Sequence, residues 1–143
     1  MCSIIGYKGQ LNVAPLLVHS LKRMEYRGYD SAGIAIINDG KVLVKKGVGN
    51  VSNVTDKFDF GIMPGHTGIG HTRWATHGRV TDENAHPHYG CTNTIAIVHN
   101  GVVENHQELR KELIDLGHVF KSDTDSEVIA HLFESCNAAQ NNI

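Results

Sequence analysis

The tripeptide Asn38-Asp39-Gly40 lies between two apolar-rich segments, residues 33–37 and 41–46, and constrains the fold more than any other local pattern. Asp-Gly suits a tight hairpin because both central positions of the favoured turn take positive φ. An antiparallel pair is therefore expected in the first third of the chain. Residues 2–8 read as an earlier strand that ends at Gly9. Asn12 can cap a helix through about Met24: Val13, Leu16, Leu17, Leu21 and Met24 recur at helical spacing, and Pro15 falls in the tolerant first turn.

Residues 50–65 are polar and weakly periodic, which fits a loop or a short helix. Ile69 to Arg73 and Thr94 to His99 read as strands. Between them residues 74–93 are rich in Gly, His, Thr, Asn and Pro, and connections of that length are uncommon in compact domains and often functional. Asn105 with Glu108, and Thr124 with Glu127, match the capping-box pattern before apolar helical runs; Gly117 stops the first of these helices. Residues 118–121 fit a strand and residues 137–143 an unpatterned polar tail. Helices mixed with antiparallel hairpins favour an α+β layered fold over a doubly wound one.

With 143 residues the chain is one domain or part of one. A hydrophobic fraction of 41% with 20% charged residues belongs to globular proteins. The net charge of −2 and the scattered Lys and Arg argue against nucleic acid or an anionic membrane as partner. No apolar run approaches the roughly 20 residues that cross a bilayer, and the start does not read as a signal peptide. Three cysteines, at 2, 91 and 136, are an odd count at unrelated spacings rather than a disulfide framework. The reducing cytoplasm is the expected compartment.

Chemistry concentrates at strand and helix ends. Cys2 follows the initiator position, where trimming of Met1 would leave a thiol and a free α-amine on one residue. An α-amine titrates at about 7.7–8.0, so it can serve a neighbouring thiol as a built-in base. The plain alternative is a small residue opening a strand. Arg73 ends a strand beside the long loop, where its planar fork suits a carboxylate, or an ordinary ion pair. Asn100-Gly101 offers two adjacent donors for an oxyanion, or simply a turn. Asp125 sits at a helix start that favours carboxylates whatever the function. His66, His71, His77, His86 and His88 lack the helical His-x-x-x-His spacing with an intervening acid, so no metal site is expected.

The order of these motifs along the chain resembles the class II glutamine amidotransferases, the N-terminal-nucleophile glutaminases. The resemblance rests on Cys2 with Ile4 and Gly6, on Tyr26 to Gly33 (YRGYDSAG), on His71 to Gly78 (HTRWATHG), on His99-Asn100-Gly101 with Glu104-Asn105-His106, and on Thr124 to Ile129. It covers residues 2 to about 134 and is strongest to the branch that passes ammonia to a fructose 6-phosphate site, the glucosamine-6-phosphate synthases. It implies a four-layer αββα sandwich and a γ-glutamyl thioester on Cys2. Asn100 and Gly101 would hold the oxyanion. Arg73, Thr76 and His77 would take the substrate α-carboxylate and Asp125 its α-ammonium, with Trp74 in a closing loop and Arg27 in support. No cofactor or metal is implied. The implied partners are L-glutamine and a sugar-isomerase domain absent from this chain; a homo-oligomer stays open.

Two departures from the family pattern matter. Ser3 stands where the pattern has Gly, a strain if that position needs positive φ and harmless if it is extended. A complete domain of the family is also longer, so residues 1–143 read as its N-terminal part. Two other function classes stay open: a non-catalytic remnant with a binding or assembly role, and a metal-dependent hydrolase using the histidine-rich loop.

Overall fold

The computed structural model describes residues 1–75 and 78–140, the last three by backbone alone. Four strands form one antiparallel sheet in the order β1-β4-β2-β3: β1 (Ser3–Lys8), β2 (Ser31–Asn38), β3 (Lys41–Val48) and β4 (Thr67–Arg73). The β2–β3 turn is the expected one, with Asp39 and Gly40 at φ of 49° and 75°. Helix α1 (Val13–Met24) starts at Asn12, whose side chain accepts the Ala14 N–H. Helix α2 (Val51–Phe58) resolves the ambiguous 50–65 segment: Asn50 caps it through the Asn53 N–H, and a short 3-10 turn, Phe60–Ile62, follows.

These two helices cover one face of the sheet. Val13, Ala14, Leu17 and Leu21 of α1 and Val51 and Val54 of α2 bury against Ala32, Ile34, Ile36, Phe60 and Met63. Burying each large aliphatic side chain contributes roughly 1.5–3 kcal/mol. Gly68 and Gly70 let α1 settle closely, because a Cβ at either would press on the tips of Leu17 and Leu21.

The opposite face carries a second, polar layer. A Cβ at Gly33 would overlap the His86 carbonyl, so the 85–88 segment lies directly on β2. There β5 (His88–Tyr89) pairs with β6 (Ala96–Ile97), and α4 (Glu127–Gln140) packs on both, with α3 (His106–Asp115) against α4. The sequence of layers is helices, sheet, sheet, helices, the expected α+β sandwich. Among the described residues the second sheet has two short strands, and no helix is long and apolar enough to cross a membrane.

Several local expectations need correction. Residues 118–121 form no strand; their backbone instead bonds to side chains, Val119 N to Cys91 Sγ and Lys121 N to Glu127 Oε1. The Thr94–His99 strand shrinks to Ala96–Ile97. Asn105 makes no side-chain cap. Glu127 reaches back to the Lys121 and Ser122 N–H groups while the Thr124 hydroxyl turns to His88, so that pair is not a capping box. Helix α4 runs on to Gln140, through what reads as a tail. The long 74–93 connection is pinned to β3: Lys46 donates to the carbonyls of Glu83 and Ala85, and Asp82 accepts the Val48 N–H.

Between the sheets His71 stacks on His86 at 4.3 Å, and His86 meets His88 edge-on at 4.4 Å. All three are buried. Burial lowers the His71 pKa to about 4 and pushes His86 and His88 down as well, aided by neighbouring positive charge. A histidine whose folded pKa lies below its unfolded value of about 6.5 is protonated first in the unfolded chain. Its stabilising share is complete above about pH 6.5 and is lost as pH falls toward 4. At pH 5 His71 alone removes about 2 kcal/mol. Urea unfolding at pH 7.5 and 5 should show at least that loss; pH-independent midpoints across this window would mean the stack is not buried and neutral.

Candidate active site

Antiparallel pairing of β1 with β4 places Ser3 opposite Thr72, and so brings Cys2 to the end of the sheet beside Arg73. The sulfur is half-buried. It accepts the Trp74 N–H at 3.3 Å, and its own S–H points to the Trp74 carbonyl at 3.6 Å. The chain start is held from the other side. The terminal ammonium of Met1 donates to the Arg27 carbonyl at 2.6 Å.

The Tyr26–Gly33 string builds this anchorage. Gly28 has no room for a side chain, since a Cβ would fall about 2.9 Å from the Arg73–Trp74 backbone. Tyr29 meets the Trp74 ring edge-on at 5.3 Å. Asp30 accepts the Ala75 N–H at 2.8 Å and donates its own N–H to the Arg73 carbonyl. Ser31 pairs with Arg73 in the β2–β4 ladder. One short segment thus fixes the direction of the chain leaving β4.

A cavity of about 670 Å³ opens here, lined among others by Cys2, Arg27, Arg73, Trp74, Asn100, Gly101 and Asp125. These residues come from five separate regions of the sequence. Arg73 is 7% exposed and donates to the Arg79 carbonyl through Nη1. Asp125 accepts the Val103 N–H through Oδ2, which leaves Oδ1 toward the Ser126 hydroxyl. Gly101 is required by crowding, because a Cβ there would come within 2.7 Å of the His99 ring. Thr76 and His77, two of the expected carboxylate ligands, lie outside the described residues.

Sequence reasoning missed the groups that orient these residues. His71 Nε2 lies 2.8 Å from Asn100 Oδ1, an oxygen that only accepts, so Nε2 carries the proton. Asn100 is thereby turned with its Nδ2 donor available to the cavity. His71 shares the face of β4 with Arg73, two residues on, and strand periodicity could have exposed it. Asn84 links the far wall: its Nδ2 donates to the Arg79 carbonyl and its Oδ1 accepts the Asp123 N–H. No signal in the sequence marks that residue.

Ser3 belongs to an ordinary strand and is not among the residues with positive φ, so its backbone is extended and unstrained. Its hydroxyl is buried without a hydrogen-bond partner. Cys2, Cys91 and Cys136 are free thiols.

The sequence model of the glutamine amidotransferase domain matches residues 55–141. A glutamine–fructose-6-phosphate aminotransferase of Pyrococcus horikoshii is 58% identical over 134 residues, which cover 94% of this chain and 22% of that protein. One from Acinetobacter baylyi is 48% identical over 143 residues, 100% of this chain and 23% of the relative. The chain therefore spans under a quarter of the length of these curated relatives. Among solved structures, the glutamine phosphoribosylpyrophosphate amidotransferase of B. subtilis matches with a TM-score of 0.76 at 28% identity, covering 94% of this chain and 29% of that one. Family match, relatives and shared fold agree: the chain belongs to the glutamine amidotransferase domains of the N-terminal-nucleophile class.

Proposed function

We propose that this chain forms the N-terminal part of a glutaminase domain that hydrolyses L-glutamine to L-glutamate and ammonia. The observation that carries the reading is the single cavity shared by Cys2, Arg73, Asn100, Gly101 and Asp125. It holds a nucleophile, a cation for a carboxylate, an anion for an ammonium, and two neighbouring donors for an oxyanion. Binding both ends of the amino acid selects glutamine over simple amides and fixes how far its side chain reaches.

With whatever precedes it removed, Cys2 combines nucleophile and base. Its thiolate attacks the side-chain amide carbon, a C–S bond forms, and the carbonyl electron pair moves onto oxygen. Asn100 Nδ2 and the Gly101 N–H hold that oxyanion. Its collapse breaks the C–N bond, and the α-ammonium of Cys2 supplies the proton with which ammonia leaves. Water then cleaves the thioester and restores the thiol. Arg73 holds the α-carboxylate, joined by Thr76 and His77. Asp125 receives the α-ammonium, Trp74 closes over the substrate, and Arg27 supports the chain start. The relatives' names support the destination of the ammonia, a fructose 6-phosphate site on a sugar-isomerase domain outside these residues.

Ammonia release from glutamine tests the reading. Cys2→Ala is expected to abolish it, and a chain with Met1 retained by mass spectrometry should be equally silent. Asn100→Ala should lower kcat by about 10²–10³, the usual cost of one oxyanion donor. A glutamine-mimicking electrophile should label Cys2 and leave Cys91 and Cys136 untouched; turnover that survives Cys2→Ala would end the proposal. Because Ser3 is extended, Ser3→Gly should change the rate by less than roughly tenfold. A larger gain would mean that Ser3 compromises the site and would favour the remnant reading.

A further inference from the structure

Away from the cavity, four side chains from three segments converge on one point. Cys91 sits in the β5–β6 turn, His118 follows α3, and His131 and Glu134 lie one turn apart on α4. Cys91 Sγ is 3.8 Å from His131 Nδ1 and 3.9 Å from His118 Nδ1. The two Nδ1 atoms are 3.1 Å apart, and each is 3.5 Å from Glu134 Oε2. All four donors lie within 4.8 Å of one another, and none lines the Cys2 cavity.

The five separations among the two Nδ1 atoms, the sulfur and Glu134 Oε2 are close to the edges of a tetrahedron. A small shift of the Cys91 turn would bring the sixth, sulfur to carboxylate, to the same length. Zinc–sulfur bonds of about 2.3 Å and zinc–nitrogen or –oxygen bonds of about 2.0–2.1 Å put tetrahedral S···N pairs about 3.6 Å apart and N···N or N···O pairs about 3.4 Å apart. The groups behind the donors are arranged as metal ligands require. His118 Nε2 meets Ser135 Oγ at 2.8 Å, and His131 Nε2, which makes no hydrogen bond, lies 3.5 Å from Glu127 Oε1, close enough for its proton to be drawn there. Protons on those outer nitrogens leave both Nδ1 lone pairs pointing inward. Two lone pairs 3.1 Å apart repel unless a shared proton or a cation lies between them. The Val119 N–H donates to Cys91 Sγ at 3.3 Å and holds the sulfur toward the two imidazoles.

Glu134 is prepared in the same way. Hydrogen bonds from Thr92 and Cys91 fix its carboxylate in place. Its Oε1 takes the Thr92 N–H and hydroxyl, and Oε2 takes only the Cys91 N–H from the turn, at 2.8 Å. Gly90 makes the approach feasible, since a Cβ there would overlap the carboxylate.

We propose that Cys91, His118, His131 and Glu134 form a structural zinc site. One sulfur, two nitrogens and one oxygen suit zinc, whereas magnesium and calcium prefer oxygen alone. Four protein donors leave no open position for a reacting water, so the role is to hold structure. As the metal bonds form, the Cys91 thiol proton is released to solvent and both imidazoles bind as neutral Nε2–H tautomers through Nδ1. The site joins the β5–β6 turn, the connection after α3, and α4. Glu127, facing His131, also accepts from Lys121 and Ser122, just before the Asp123–Asp125 wall of the cavity.

The test needs no glutaminase activity. The full chain, stripped with a chelator and dialysed, is titrated with Co²⁺ and then Zn²⁺ while circular dichroism monitors folding. One equivalent should bind, with a thiolate-to-cobalt charge-transfer band and intense tetrahedral d–d bands that Zn²⁺ erases. Cys91→Ser should remove the charge-transfer band, His118→Gln should raise the Kd at least tenfold, and Cys2→Ser and Cys136→Ser should change neither. No binding, a weak octahedral spectrum, or a band that follows Cys2 or Cys136 would overturn the site.

Discussion

The register between β1 and β4 is the constraint on which the rest of the structure depends. In a strand, side chains alternate between faces, so a slip of one residue would turn Cys2 away from the cavity and toward the helices. The contacts of the sulfur with Trp74 and of Met1 with Arg27 are too few to oppose that slip by themselves. It is prevented on the other face, where Ile5 and Tyr7 pack with the α1 core and Gly68 and Gly70 accept Leu17 and Leu21. Apolar packing on one side of the sheet therefore aims a polar group on the other. A proposed nucleophile at the very start of a chain, where fraying is the norm, is held by hydrophobic contacts it does not share.

The second constraint is electrostatic. The space between the sheets is filled by imidazoles rather than by aliphatic side chains, and burial keeps them neutral. A neutral His71 with its proton on Nε2 can only donate to Asn100 Oδ1, and so selects one of two amide orientations. Its other nitrogen, Nδ1, is buried without a partner. Leaving a buried polar atom unpaired costs about 1–3 kcal/mol. That cost sits beside the proposed oxyanion donors, where a fixed amide matters more than local stability.

The elements legible in the sequence were those with short-range causes. The Asp39-Gly40 turn, the Asn12 cap, the α1 periodicity and the Gly117 stop each follow from a residue and its near neighbours. The cavity-lining positions were legible through the order of motifs rather than through any one of them. What was not legible depends on distant partners. Residues 118–121 have strand-like composition, but their N–H groups find Cys91 Sγ and Glu127 Oε1 instead of a ladder. Glu127 has the spacing of a capping box and is recruited by a loop. Attention to histidines 66–88 missed His118 and His131, whose spacing of thirteen residues across a loop matches no ligand pattern and acquires meaning only when α4 folds back.

The two layers also differ in what holds them. The first has an apolar core shared by two helices and the sheet. The second has two-residue strands and a small set of buried apolar side chains, among them Leu113, Val128 and Ala130. Little apolar area is available there to offset the entropy of ordering its loops. Its coherence comes instead from polar cross-links: Arg110 on the Ser122 carbonyl and over the Phe120 ring, Glu127 on the 121–122 backbone, and Glu134 on the 91–92 turn. Small cores of this kind are where a metal adds most, because it replaces several weak directional contacts with one set of strong bonds. Cys91, His118, His131 and Glu134 stand where those cross-links meet. A metal there would brace the layer whose loops carry Asn100, Gly101 and Asp125, leaving the better-packed layer to position Cys2 and Arg73.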